Sequence, residues 1–196
     1  MKSMSRTWLR ARRCAAGLIG DRSGLAAIEF AMIVPLMLVM FFGTVEFSSG
    51  IAVDRKVTLV ARTLSDLTSQ STTVASTDTA NFFAASTAIL TPYSATPTKA
   101  AISELYVNPS TLTATVQWNQ TYQGATARAV GSTVTIPSAL AVGGTYLIFS
   151  EVSYLYTPTV GYVMAKAGIT LSDVAYTRPR QSLCVFFSPA TACTTN

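Results

Sequence analysis

A carboxylate stands at the mouth of a membrane-length apolar run: Gly24-Leu25-Ala26-Ala27-Ile28-Glu29-Phe30, then residues 31–45 without a charge. Hydrocarbon makes an ionised carboxylate costly, about 2.5–3.5 kcal/mol at the bilayer centre on insertion scales and less near the interface. Glu29 therefore needs either water or a cationic partner. A cut after Gly24 would give Leu25 an α-amino group, positive at neutral pH, with Glu29 about one helical turn further on. In lateral packing the amine of one subunit can lie near the Glu29 of another. Such a pair offsets part of the charge-burial cost and specifies axial register. The alternative is an interfacial glutamate that snorkels to water.

Other chemistry is scarce. The chain has no histidine, which removes Ser-His-Asp and Cys-His catalysis and His-ligated metals together. The acidic residues beyond the apolar run (Asp54, Asp66, Asp78, Glu104, Glu151 and Asp173) are scattered and suggest no paired-carboxylate site. No phosphate-binding, dinucleotide or nucleophile-elbow motif occurs, so no catalytic residue, metal or cofactor is assigned. Glu151 lies mid-strand with Leu147, Phe149, Ser153 and Leu155 as face-mates. It either takes Arg178 or Arg180 as partner or sits at an edge facing solvent. Cys184 and Cys193 bracket a Ser188-Pro189 turn. If exported they can pair, a closure worth about 2–3 kcal/mol in the chain-entropy model; otherwise they are free thiols in a loose tail.

Charge organises the ends. Residues 1–23 hold six basic residues against Asp21 alone, which accounts for the whole net charge of +5. The rest balances, so no basic face points to nucleic acid. Residues 30–45 rise ~24 Å as a helix, slightly short of a ~30 Å hydrocarbon core. Leu25–Ile28 and residues 51–53 extend it to a long helix with Glu29 and Glu46 near its interfaces. Pro35 leaves the carbonyl of Ala31 without its helical donor, which membrane helices tolerate. The basic leader places the N-terminus in the cytoplasm and everything after residue 50 outside. The leader is too long, and lacks the small-residue site, for ordinary signal-peptidase cleavage.

The elements that must position these residues follow from periodicity. Val53, Val57, Val60, Leu64 and Leu67 form a helical apolar stripe, with Asp54, Arg55, Lys56, Arg62, Ser65 and Asp66 on the other faces. The stripe packs on the protein's own domain or on neighbouring subunits. Residues 68–77 read as a loop, and residues 78–90 as a short helix capped by Asp78. Thr111–Trp118 alternates as a half-buried strand, with Leu112, Ala114, Val116 and Trp118 on one face. Residues 102–107 are its hairpin partner. Residues 132–136, 145–156 (the longest), 174–177 and 182–187 complete an antiparallel sheet. The class is α+β: a long N-terminal transmembrane and amphipathic helix, then a globular domain with an antiparallel sheet. The divisions are a leader over 1–24, the helix over 25–70 and the outer domain over 78–196.

On Gly24, Glu29-Phe30, Val34-Pro35-Leu36 and Gly43 to Glu46-Phe47, the chain resembles the type IV pilin family. More narrowly it resembles the TadE-like minor pilins (pseudopilins) of the bacterial tight-adherence system. Glu151-Val152-Ser153-Tyr154 and Arg178-Pro179-Arg180 also look like that family. The resemblance implies cleavage between Gly24 and Leu25 by a membrane-embedded prepilin peptidase, with Glu29 matching the glutamate at the fifth mature position. Glu29 and Pro35 would then serve subunit packing. The implied partners are the inner membrane, the peptidase, other pilins and the pilus assembly machinery, with a single-pass, periplasm-facing product. That product of 172 residues is longer than the major pilins, which points to a minor component. Cleavage also discards Cys14 and the leader's charge. The metal motif of the related TadG-like proteins is missing, so no metal site transfers. The competing reading is an uncleaved single-pass anchor carrying a binding domain.

Overall fold

The computed structural model describes residues 17, 23–158, 168–193 and 195. The rest of the basic leader, Cys14 included, lies outside the described residues. The chain divides into two compact units, Met1–Val45 and Glu46–Asn196.

In the first unit the described backbone belongs to α1 (Ser23–Ser69). Its side chains from Gly24 to Val45 are exposed, Val34 alone being half-buried. Pro35 lies inside the helix. The hydroxyl of Thr44 donates to the Met40 carbonyl at 2.8 Å. That back-bond satisfies a polar group in an otherwise apolar stretch.

The second unit starts within the same helix. Here the stripe turns inward: Val53, Val57, Val60, Ala61 and Leu64 are fully buried, and Leu67 is half-buried. Each buried Val or Leu contributes about 1.5–3 kcal/mol by leaving water. The stripe packs on the chain's own sheet, the first of the packings left open by sequence. Polar bonds fix its position. Ser150 Oγ donates to the Ala61 carbonyl at 2.6 Å, and Ser65 shares a 2.8 Å bond with Thr177. Lys56 Nζ caps the carbonyls of Ile89 and Thr91. Ser65 is therefore buried and not on the solvent face that periodicity gave it.

After α1 come β1 (Thr73–Val74) and α2 (Ser76–Thr87). Then follow β2 (Thr98–Val107), β3 (Ala114–Tyr122), β4 (Thr133–Val134), β5 (Tyr146–Tyr156), β6 (Ile169–Thr177) and β7 (Phe186–Phe187). Strands β4-β3-β2-β5-β6 form one antiparallel sheet in that order. The architecture is α+β, a long apolar helix followed by a domain on an antiparallel sheet. One core lies between α1 and the sheet, with Ala100, Ile102, Trp118, Ile148 and Val152 opposing the stripe. A smaller one lies on the other face, around Leu105, Val116, Leu147 and Phe149.

Several expectations are corrected. Residues 68–77 are not one loop: α1 runs to Ser69, and β1 pairs in parallel with β7. Residues 182–187 therefore supply a two-residue strand outside the main sheet. The short helix begins at Ser76 with Ala75 as N-cap, and Asp78 occupies the third helical position. Its carboxylate accepts the Ala75 N–H at 2.9 Å, the reach-back half of a capping box. Leu112 is exposed with φ 56° and lies before β3. Trp118 does not share a face with Val116. The register shifts between Glu104 and Leu105, which pair with Trp118 and Val116, leaving Gln117 as a bulge. One extra residue turns every later side chain to the other face. At the far end, a Cβ on Gly143 would lie 2.6 Å from the Pro109 backbone, so only glycine fits that approach.

Candidate membrane and assembly segment

Gly24, Leu25, Glu29 and Phe30 all lie on the first turns of α1. Leu25 and Glu29 are four residues apart and share one helix face. Leu25 is 63% exposed and Phe30 68%. Nothing stands within 4 Å of where a Gly24 Cβ would be. The fold therefore gives no packing reason for glycine there. Among the described residues Glu29 forms no ion pair. Pro35 faces outward one turn and a half later. From Gly24 to Ser69 the helix has an 18-residue window of mean hydropathy 2.4, none of it buried in the fold. By length and composition it can cross a membrane.

The next carboxylate, Glu46, accepts a 3.2 Å hydrogen bond from the Tyr156 hydroxyl. Burial first, and then that carboxylate, push the Tyr156 hydroxyl above its ordinary pKa. The end of β5 is thus tied to the helix residue where the second unit begins.

Glu151 is paired, but with neither Arg178 nor Arg180. Arg128, from the loop after β3, grips it through Nε and Nη2, both at 2.6 Å. The same guanidinium lies 5.4 Å from the Phe149 ring centre. The bond to Glu151 raises the Arg128 pKa further. With both oxygens engaged, Glu151 is a structural clamp and not a free acid or base. Arg180 instead pairs with Asp66 of α1.

The carboxylate that sequence reading passed over is Glu104, 2% exposed on the central strand. One oxygen accepts the Val185 N–H at 2.6 Å, and the other the Trp118 indole N–H at 3.1 Å. That indole also donates to the Val185 carbonyl at 2.8 Å. Desolvation raises the carboxyl pKa to about 7, against the lowering effect of both bonds. The signal was present: Ala100, Ile102 and Glu104 alternate on one face, which puts a carboxylate in a core register. Cys184 and Cys193 form a disulfide with Cα atoms 5.8 Å apart. No cluster of three or more potential metal ligands occurs among the described residues.

The distinguishing feature is the exposed, membrane-length apolar segment of α1. Residues 24–65 match the family model described as TadE-like protein, so this stretch is similar to the TadE-like proteins of the Tad pilus system. Neither a curated protein nor a solved structure matches it. The match begins at Gly24 and covers the exposed apolar segment and nearly all of the buried stripe.

Proposed function

We propose that the chain is a minor pilin-like subunit, a pseudopilin, needed to assemble a Tad-type pilus. It is matured by a prepilin peptidase that cuts between Gly24 and Leu25. It crosses the bacterial inner membrane once, with the basic leader cytoplasmic and the domain from Glu46 onward periplasmic. Its partners are the peptidase, other pilins and the assembly machinery, and its role is structural.

The observation that carries this reading is the coincidence of the family match with an apolar helix segment that the fold leaves uncovered. Two more support it. Gly24 answers no steric need of the fold, as suits a residue selected by a peptidase that accepts only a very small side chain. Cys184 and Cys193 are joined, as suits an oxidising compartment. In the assembled state Glu29 takes the α-amine of Leu25 from a neighbouring subunit. That pairing neutralises a charge within an apolar contact and selects one axial register.

Sequencing the N-terminus of protein purified from its native membrane tests the processing step. Leu25 as first residue is expected; Met1 would leave an uncleaved anchor with a binding domain. Glu29→Ala should insert and fold normally yet enter sheared pili far less than wild type. Undiminished incorporation of that variant would remove the pairing role.

A further inference from the structure

We propose that the C-terminal residues 182–193 form a detachable strap, clamped at Val185 by the Glu104 carboxyl group and the Trp118 indole. The contacts are few and concentrated. Within the strap only Cys184 and Val185 are buried, Leu183 is 67% exposed, and residues 188–192 are exposed. Outside Val185 the strap is held by the two-residue pairing of β1 with β7, through Phe186 N–H to the Thr72 carbonyl at 3.0 Å and Ser188 N–H to the Val74 carbonyl at 2.9 Å. The Phe187 ring adds a contact with Trp118 at 5.5 Å. The disulfide closes the strap on itself and does not tie it to the sheet.

At Val185 two side chains do the work of a neighbouring strand. Glu104 receives the N–H, and Trp118 supplies a donor to the carbonyl. The slot therefore holds one residue of extended backbone. The strap in turn roofs the carboxyl group. Lifting it removes the Val185 N–H bond, which favours the ionised group, but also exposes Glu104 to water; burial is the larger of the two effects, so opening returns the group toward its ordinary acidity and releases a proton, and closing binds one. The strap carries no charged side chain, β1 carries none, and the disulfide does not titrate. On the flanking strand, burial first and then Glu104 push the Tyr146 hydroxyl above its ordinary pKa, so it stays neutral through the relevant range. The Asp66–Arg180 pair on the α1 side is exposed and self-compensating.

Hydrogen exchange on the full chain in detergent micelles, with the disulfide intact, reads this directly. After correction for intrinsic exchange, opening of residues 182–193 should rise by up to about two orders of magnitude from pH 5 to pH 8, the limit set by tenfold per unit between the open and closed acidities. Peptides of β2 and β5 should stay protected throughout. In Glu104→Gln, which keeps an acceptor for the Val185 N–H, strap opening should lose its pH dependence. Trp118→Phe keeps the carboxyl group and should open more at every pH with the dependence retained. A pH-independent wild-type strap, or a strap that opens only together with β2 and β5, would overturn the proposal.

Discussion

Two stretches of one helix meet opposite fates. From Leu25 to Val45 the large apolar side chains point to the outside, Met32 at 75% exposure and Leu36 at 63%. From Val53 to Leu64 the stripe residues are fully buried. Hydrophobicity alone does not separate them. The second stretch is amphipathic, with charges at Asp54, Arg55 and Arg62 that leave one face for the sheet. The first is apolar all round, so a sheet could cover only one side of it. Its remaining surface calls for lipid or for apolar faces of other subunits. One half of the helix is thus satisfied within the chain, and the other is reserved for what lies beyond it.

Substitutions that treat the halves alike should expose the contrast. Leu64→Ala should lower the stability of the α+β domain by about 2–5 kcal/mol, because it opens a cavity in the core between α1 and the sheet. Leu36→Ala should leave thermal unfolding of that domain unchanged, since the Leu36 side chain is 63% exposed and its removal opens no cavity. A loss of domain stability in Leu36→Ala would erase the distinction. Conversely, Val39→Arg should impair membrane insertion by about 2.5–3.5 kcal/mol while sparing the domain, as membrane fractionation and unfolding curves would show.

Within the α+β domain, Glu104 makes stability depend on pH. The unfolded carboxyl titrates in its ordinary range near 4.5 and burial raises the folded one to about 7, so the folded state binds the extra proton between them. Stability is then greatest below pH 4.5 for this group and declines as pH rises to 7, by about 3 kcal/mol at most. Denaturant titrations of wild type and Glu104→Gln should diverge across that window, the variant being the flatter. The smallest effect belongs to the Arg128–Glu151 clamp. Both partners are about one-third exposed, so Arg128→Ala should cost only about 1 kcal/mol by double-mutant cycle, and less in high salt.

Legibility followed the same division. The α1 stripe was readable because a single period of 3.6 ran through it without interruption, and β3 because a period of 2 held from Ala114 to Val116. The Trp118 face was not readable, because one bulged residue at Gln117 reverses the alternation and leaves no mark in composition. Asp78 was placed near the right helix end but in the wrong capping role, since aspartate stabilises a first turn from either position. The partner of Glu151 was missed because Arg128 comes from a loop 23 residues away, while two arginines nearer a predicted strand looked equally able to reach.

By itself the sequence determined the apolar segment, the charge asymmetry around it, the lone glutamate at its mouth and the α+β class, because those depend on composition and local period. Only the tertiary structure decided that the stripe packs on the chain's own sheet, that Arg128 meets Glu151 and that Glu104 grips Val185. Each of those joins residues far apart along the chain, and their register is set by strand pairing, a bulge and the competition for buried space.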